Sequence, residues 1–304
     1  MRGAKIRFIL NPVSGHNRGR PWLKGFLLDF LQSRRILADL VLTESPGHAT
    51  ALARDAVREG VERVVAVGGD GTMNEIAQSL IHTSVTLGLI PCGSGNGLAL
   101  HLGLQKDLRK ALVFVCDPLS RSKAIDTGWA DGRPFFNAMG MGLDAEISRR
   151  FNTLQKRGIV GYARTAGKML LEIRPEKIRF GGDAWEDESE VLLVAVANSN
   201  QYGNHAQIAP GAMVDDGELD LVAVRPVGPL GAAALAVRLF AGSLHRSGRV
   251  RRERGRRFWI ERSAPGLIHT DGETHQAGRL IKVTVQAGSL RVLVPSEKKH
   301  SSRP

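Results

Sequence analysis

Three short glycine-rich stretches carry the residues of this 304-residue chain that could do chemistry. They are NPVSG at 11–15, GGDGTMNE at 68–75 and CGSGNG at 92–97. Glycines let backbone N–H groups come close to a phosphate, and a helix that starts at such a loop adds the positive end of its dipole. Together the stretches indicate phosphate binding, although each one alone is also compatible with a tight turn.

Asp70, in the middle of the second stretch, is not explained by phosphate binding alone. A carboxylate repels phosphate oxygens unless a divalent cation lies between them, and Mg²⁺ commonly takes one or two carboxylates together with substrate phosphates. Thr72 and Glu75 have the spacing of a capping box, so we predict that a helix begins at Thr72. This stretch therefore predicts a site for a metal–nucleotide complex.

The elements that must position these stretches are strands that alternate with helices in the first part of the chain. Such alternation predicts βαβ units and an α/β domain with a mostly parallel sheet, and ligands of such sheets bind beyond the carboxyl ends of the strands. Each glycine-rich stretch directly follows an apolar run. The four apolar runs are 6–10, 36–42, 63–67 and 86–90.

After about residue 124 the pattern changes to short strands joined by tight turns, which indicates an antiparallel sandwich or barrel; of the two we expect a mainly antiparallel β-sandwich. Asp131-Gly132 and Asp271-Gly272 are hairpin signals, and helices are expected near 158–173 and 230–244. We therefore expect two domains. Their predicted bounds are 1–124 and 125–290, with residues of about 290–304 packing back on the first domain.

The amino-acid composition limits which kinds of partner and which cellular setting are expected. The formal net charge of +12 favours an anionic partner such as a nucleic acid, a phosphorylated small molecule or an anionic membrane face. No stretch resembles a signal peptide or a transmembrane helix, and Cys92 and Cys116 lack metal-ligand spacing. We therefore expect a cytoplasmic protein with reduced thiols.

A basic run, RSGRVRRERGRR from Arg246 to Arg257, follows the apolar 230–244 stretch. Such a run is commonly a solvated face. The alternative is peripheral contact with the anionic leaflet of a membrane, where each basic residue adds about 1 kcal/mol. Both interpretations stay open from the sequence.

In their order and positions, the three stretches resemble the diacylglycerol kinase catalytic domain family, which includes sphingosine kinases, ceramide kinases and soluble bacterial lipid kinases. The resemblance covers nearly the whole chain, because it continues through four further motifs. These are AIDTG at 124–128, FFNAMGMGLDA at 135–145, APGAMVDDGELD at 209–220 and HTDGE at 269–273. NAD kinases share GGDGT, but NPVSG, GSGN and the late DGE favour lipid kinases.

The resemblance implies roles for individual residues. Asp70 and Asp126 would serve a catalytic Mg²⁺, and Glu273 would be the general base. A further metal site is implied by the Asp216 side chain and the carbonyls of Met213 and Glu218. The implied ATP-binding residues are Asn11, Pro12, Ser14, Gly15, Thr43, Gly69, Asp70, Gly71, Thr72, Asn74, Glu75, Ser94, Gly95 and Asn96.

The implied activity is transfer of the γ-phosphate of ATP to a membrane lipid alcohol, with Mg²⁺ as cofactor. Diacylglycerol leads over sphingosine or another lipid alcohol as the expected acceptor. An NAD kinase-like enzyme acting on a soluble substrate is the second alternative. A basic nucleic-acid-binding protein is the non-enzyme alternative; it explains the charge but not the glycine loops, so no nucleic acid is expected. A homodimer is left open.

Overall fold

The computed structural model describes residues 5–104, 107–153 and 174–295. Contacts between residues divide the chain into two units. Unit 1 is formed by the residues up to Gly93, by Leu102–Ala124 and by the segment from Leu290 on, and unit 2 by Ser94–His101 and Ile125–Ser289. In the ranges that the structure describes, no helix is both long and apolar enough to cross a bilayer.

The helices are, in chain order, α1 Leu23–Ser33, α2 His48–Arg58, α3 Asp70–Leu80, α4 Gly97–His101, α5 Leu108–Cys116, α6 Leu143–Thr153 and α7 Pro229–Phe240. The strands are β1 Ile6–Leu10, β2 Ala38–Leu42, β3 Arg63–Gly68, β4 Thr86–Pro91, β5 Ser122–Ala130, β6 Arg133–Phe135, β7 Ala138–Gly142, β8 Glu176–Gly181, β9 Glu186–Val191, β10 Leu193–Ala197, β11 Leu219–Val224, β12 Val250–Gly255, β13 Arg257–Glu261, β14 Gly266–Thr270, β15 Glu273–Ala277 and β16 Leu280–Leu293.

Unit 1 is built on a parallel sheet with the strand order β2-β1-β3-β4-β16. The last strand joins through Val292, which pairs with Leu87 of β4. Strands β1 and β3 are buried along their whole length, which explains their continuous apolar runs. The predicted α/β domain with a mostly parallel sheet is therefore confirmed.

Helices cover this sheet with stripes of buried side chains. In α1 the buried residues are Leu23, Leu27 and Leu31, four positions apart, and they pack with Phe8 and Val65 of the sheet in one cluster. Such spacing places side chains on one face of a helix. The sheet and helices together hold the carboxyl ends of β1, β3 and β4 in place.

Unit 2 contains two antiparallel layers. One is a six-stranded sheet of order β12-β11-β10-β7-β14-β15. In the other, β16, β13, β8 and β9 pair in that order, and β5 pairs with β16 and β6. Met139 and Leu221 from the first layer and Phe180 and Phe258 from the second share one buried cluster. The predicted mainly antiparallel sandwich is confirmed.

Both Asp-Gly hairpins form as predicted. Asp131 and Gly132 have φ values of +46° and +79°, and Asp271 and Gly272 have +50° and +85°. Two positive values in a two-residue loop define the turn that matches the twist of the flanking strands.

Other expectations need correction. Short strands joined by tight turns were expected throughout this part of the chain, but Leu280–Leu293 forms one strand of 14 residues, β16, which contains Gly288 at a φ of +59°. The helix expected at 230–244 is α7, which ends at Phe240 and is followed by a 3₁₀ turn at Leu244–Arg246. The helix expected at 158–173 lies outside the described residues.

Candidate functional site

The first glycine-rich loop leaves the carboxyl end of β1 in unit 1. Its backbone is fixed at the start, because Asn11 N donates to Val67 O of β3 at 3.1 Å. At its end, Gly15 has a φ of +49°, and a Cβ atom there would lie 2.4 Å from Cys92 O. Only glycine fits this position, since both the left-handed backbone and the close approach exclude a side chain.

The second loop leads from β3 into α3 and is bonded to the first. Gly69 N donates to Ser14 Oγ at 2.9 Å, and Asn11 Nδ2 donates to Thr72 Oγ1 at 3.0 Å. The prediction that the helix begins at Thr72 is wrong: α3 begins at Asp70, with Gly69 as its N-cap and no side-chain cap. Because the N-cap is a glycine, it supplies no side-chain acceptor to the first turn, and helix starts of this kind suit an anion.

Glu75 does not close a capping box on α3. Its Oε2 atom accepts the N–H of Ala49 at 3.1 Å, in the first turn of α2, and its carbonyl accepts the Thr50 hydroxyl at 3.1 Å. The carboxylate therefore caps the neighbouring helix and joins α2 to α3. Direct contact between Glu75 and ATP stays a prediction.

The third loop follows β4 and contacts both others. Cys92 O accepts two hydrogen bonds from His16, from the backbone N at 2.9 Å and from Nδ1 at 3.0 Å. A Cβ atom on Gly69 would lie 3.1 Å from the Cα of Gly93. The exits of β1, β3 and β4 thus form one cluster of glycine-rich backbone in unit 1, as the alternating pattern predicts.

A buried amide lies in the helix that follows this cluster. Asn74 is only 3% exposed. Its side-chain Oδ1 atom has no hydrogen-bond partner within the described part of the chain. Thr43, at the exit of β2, is also buried, and its N–H donates to Leu10 O at 3.0 Å. Buried polar atoms are nearly always paired, so a water or ligand is the expected partner of Asn74.

Asp70 is the carboxylate that this cluster offers to a metal ion. It is the first residue of α3 and is half-buried. In the described ranges, no group of three or more His, Cys, Asp or Glu side chains is arranged to hold a metal. One carboxylate together with nucleotide phosphates is a donor set that Mg²⁺ accepts. The residues therefore fit Mg²⁺ bound with a nucleotide, and Asp70 would hold it.

Ser94, Gly95 and Asn96 belong to unit 2 by their contacts, although the sequence places them in the first domain. Gly95 O accepts the N–H of Asn204 at 3.2 Å. Asn96 is buried with a φ of +53°, and its carbonyl accepts the N–H of Leu100 at 2.9 Å as α4 begins. Their part in ATP binding stays a prediction.

Asp126, in β5, is bonded to the turn at Gly217 and to Gly288 of β16. The residue is 2% exposed; its Oδ2 accepts the N–H of Gly217 and its Oδ1 that of Gly288, each at 2.7 Å. Burial raises the pKa of the Asp126 carboxyl above its ordinary value, and the two N–H donors oppose that shift. Each oxygen therefore already has a backbone donor, and service to a catalytic metal stays a prediction.

Glu273 is exposed and follows the Asp271-Gly272 turn as the first residue of β15. The turn is anchored by the Asp271 carboxylate, which accepts the N–H groups of Phe136 at 2.8 Å, Asn137 at 2.7 Å and Ala138 at 3.1 Å. Burial raises the pKa of Asp271 to about 6. The position of Glu273 is thus fixed through its neighbour Asp271.

A second support of this hairpin was not anticipated from the sequence. His269 Nδ1 accepts the N–H of Gly272 at 3.2 Å, so in the neutral ring the proton is on Nε2. That Nε2 atom lies 2.9 Å from Asp144 Oδ2, in a geometry too bent for a regular hydrogen bond, and Tyr202 donates its hydroxyl to the same oxygen. Residue 140 must be a glycine to leave room for the Asp144 side chain, because a Cβ atom at this position would lie 2.0 Å from Asp144 Oδ2.

At the implied second metal site, the Asp216 side chain forms an ion pair with an arginine. Asp216 and Glu218 both pair with the Arg254 guanidinium, Glu218 at 3.0 Å, and Asp216 Oδ1 also accepts the N–H of Glu218 at 3.1 Å. Met213, whose carbonyl was the third implied ligand, is half exposed. Arg254 thus pairs with the Asp216 carboxylate, which is the one side-chain ligand of the implied set, and the metal site stays a prediction.

The basic run includes β12 and ends at Arg257, the first residue of β13, and four of its arginines form ion pairs. Their partners are carboxylates of the same unit, and contact of this run with a membrane stays a prediction. The pairs are Arg251 with Asp187 at 2.8 Å, Arg252 with Asp220 at 2.8 Å, Arg254 with Glu218 at 3.0 Å and Arg257 with Asp183 at 3.0 Å.

Comparison with known proteins covers both units. Residues 5–130 match the diacylglycerol kinase catalytic domain, and residues 137–294 match the YegS C-terminal NAD kinase beta sandwich-like domain. A diacylglycerol kinase from Bacillus subtilis is 30% identical, with 73% of this chain and 74% of that protein covered. A protein from Pseudomonas fluorescens, named probable lipid kinase YegS-like, is also 30% identical, with 84% and 85% covered.

The fold has the same relatives. A crystal structure of a diacylglycerol kinase from Bacillus anthracis superimposes with a TM-score of 0.71, covering 97% of this chain and 98% of that one at 20% identity. This chain therefore belongs to the diacylglycerol kinase catalytic domain family of lipid kinases.

Proposed function

We propose that this lipid kinase transfers the γ-phosphate of ATP to the hydroxyl group of diacylglycerol, which gives phosphatidic acid. The observation that carries the proposal is the cluster of three glycine-rich loops in unit 1, joined by the bonds from Gly69 to Ser14 and from Asn11 to Thr72. The name of the Bacillus subtilis relative supports diacylglycerol as the acceptor. Other relatives are named only as lipid kinases, so a sphingoid or another lipid alcohol is the competing acceptor.

The proposed role of unit 1 is to hold and orient the triphosphate. Backbone N–H groups of the loops and of the first turn of α3 would receive phosphate oxygens, and Asn74 Oδ1 would accept a hydrogen bond from the nucleotide or a water. Asp70 would hold Mg²⁺, which when bound supplies positive charge at the phosphate oxygens. Positioning and charge neutralisation are what phosphoryl transfer mainly requires.

The proposed role of Glu273 is to accept the proton of the lipid hydroxyl. The oxygen then forms a bond to the γ-phosphorus while the bond from that phosphorus to the bridging oxygen breaks, and ADP leaves. Glu273 is exposed at the start of β15, where a substrate can reach it, and Asp271 anchors the turn beside it. Asp126 supports the architecture of unit 2 through its two backbone donors.

The proposed setting is the cytoplasm, with peripheral contact at an anionic membrane that contains the lipid. The net charge of +12 supports this contact, and the high thiol pKa of about 11 that burial gives Cys92 suits an ordinary reduced thiol. An NAD kinase-like enzyme on a soluble acceptor, nucleic-acid binding without ATP consumption, and a homodimer are the alternatives to this proposal.

The test is incubation of the protein with γ-labelled ATP, Mg²⁺ and detergent micelles that contain diacylglycerol, sphingosine or ceramide, with NAD as a soluble acceptor. We expect label in the diacylglycerol band. Glu273→Gln and Asp70→Asn are each expected to reduce transfer by at least about a hundredfold, whereas the matched exposed residue Glu190→Gln leaves it unchanged. Label in another band reassigns the acceptor, and wild-type turnover in either variant removes that residue from the mechanism. Circular dichroism shows whether each variant is folded.

A further inference from the structure

Helix α7 of unit 2 is apolar on two opposite faces. On one face, Ala232 is buried and Leu235 and Leu239 pack against a cluster that includes Val222 of β11. On the other face, Leu230 is 89% exposed and Val237, seven residues later, is 69% exposed. Between them, at the helical spacings of three and four, Ala233 and Ala234 are also exposed.

A helix that is apolar all round is ordinarily buried on every side. The described residues of unit 2 pack on one side of α7, and on the other side Leu230, Ala233, Ala234 and Val237 form an exposed apolar strip. Contiguous exposed apolar surface of this kind marks an interaction site. We call these four residues the α7 strip.

The charged side chains of the segment that contains the α7 strip have one sign. From Arg225 to Arg252 the chain contains six arginines and no Asp or Glu. Arg225 and Arg251 pair with Asp187, and Arg252 pairs with Asp220. The other three are Arg238, Arg246 and Arg249, and no carboxylate of the described residues lies within ion-pair distance of them.

We propose that the α7 strip is the element that docks on an anionic lipid bilayer. Leu230 and Val237 enter the boundary between head groups and acyl chains, and Arg238, Arg246 and Arg249 lie at the lipid phosphates. An apolar strip flanked by cations is complementary to an anionic bilayer, which presents both hydrocarbon and negative charge. A symmetric pair of copies would instead bring the same arginines together, and like charges oppose such a contact.

This inference deepens the proposed function, because an acyl-chain acceptor lies in a bilayer. It also moves the membrane contact from the ion-paired arginines of β12 and β13 to α7 and the turn after it. Docking is measured without ATP, so failure of docking and failure of phosphoryl transfer appear in different assays.

The experiment is co-sedimentation with vesicles of phosphatidylglycerol and phosphatidylcholine in equal parts, with pure phosphatidylcholine vesicles as reference. We expect the wild type to bind the anionic vesicles and to dissociate as salt is added. Leu230→Gln combined with Val237→Gln is expected to weaken partitioning at least about tenfold. Arg246→Gln combined with Arg249→Gln is expected to weaken it several-fold and to reduce its dependence on salt. Leu119→Gln is the matched control, since Leu119 is 86% exposed in unit 1.

Thermal unfolding of the Leu230/Val237 variant checks its fold, and phosphorylation of a short-chain diacylglycerol dispersed without vesicles is expected to be unchanged. The proposal fails if this variant binds anionic vesicles as the wild type does. It also fails if sedimentation velocity shows a wild-type dimer that the variant loses while vesicle binding stays the same, because the occupant of the α7 strip is then a second copy.

Discussion

Ser14 Oγ accepts the N–H of Gly69 at 2.9 Å, a bond between residues 55 positions apart in the chain. The bond holds the loop after β1 against Gly69, the N-cap residue of α3. The phosphates are proposed to bind at this helix start. The bond therefore sets the spacing between two of the three loops.

Ser14→Ala removes this acceptor and is expected to raise the KM for ATP about fivefold to tenfold, since a hydrogen bond contributes about 1 kcal/mol. Steady-state kinetics with varied ATP measures the change. Ser33→Ala is the control, because the Ser33 hydroxyl donates only to Phe30 O at the exposed end of α1. An unchanged KM in Ser14→Ala would show that the loop holds its position without this bond.

Alanine substitutions at Gly15 and Gly60 distinguish the cost of a strained backbone from the cost of a steric clash. Both have positive φ, +49° and +68°, but only Gly15 lacks room for a Cβ atom, because no heavy atom lies within 4 Å of the Cβ position at Gly60. Gly60→Ala is expected to lower the free energy of unfolding by about 1 kcal/mol through its left-handed backbone alone. Gly15→Ala should lower it further and abolish ATP binding, as measured by urea unfolding and calorimetry. Equal effects of the two substitutions would argue against the contact with Cys92 O.

Arg252 neutralises a buried carboxylate. Asp220 is 3% exposed, and Arg252 contacts its Oδ1 at 2.8 Å. Arg252→Met removes the hydrogen-bonded partner of that carboxylate and leaves only the Arg254 guanidinium, 3.9 Å away, so the free energy of unfolding should fall by about 3 kcal/mol. Arg249→Met, which removes an exposed arginine, should change it little. Urea unfolding of both variants measures the difference, and equal stabilities would mean that the pair is only a surface contact.

Asp271 predicts a specific pH dependence of stability. Its pKa of about 6 in the folded protein exceeds the ordinary value of 3.8, so the folded state binds the proton more tightly than the unfolded state does. The stabilisation from this group is complete below about pH 4 and is lost as pH rises through about 6. The free energy of unfolding of wild type minus that of Asp271→Asn should fall over this interval. A rise would show instead that the three N–H donors dominate over burial.

Gly140 provides room for the Asp144 and His269 side chains that support the Asp271-Gly272 hairpin. In Gly140→Ala the new Cβ atom would lie 2.0 Å from Asp144 Oδ2 and 2.6 Å from His269 Nε2, so both side chains must move. We expect kcat to fall several-fold with an unchanged KM for ATP, because the clustered loops belong to unit 1. Gly278→Ala is the control, with its nearest heavy atom 3.9 Å away. A loss of thermal stability at wild-type kcat would limit this cluster to a structural role.

Local patterns were sufficient to predict several features of this protein. The alternation of apolar runs and helices predicted the parallel sheet of unit 1, and the Asp-Gly pairs predicted two hairpins, because strand periodicity and turn backbones depend on residues close in sequence. The glycine-rich stretches predicted the cluster at β1, β3 and β4, since parallel strands place their carboxyl ends at one edge.

Other features were decided by contacts between residues far apart in the chain. The start of α3 was misplaced because Thr72 bonds to Asn11, and Glu75 to Ala49, instead of to each other. The arginines of β12 looked like one exposed basic run because their carboxylate partners lie on other strands. The side chains of His269 and Asp144, 125 positions apart by number, meet only after β14 pairs with β7. No local pattern encodes such pairs, because their energies depend on burial and distance that exist only once the sheets have formed.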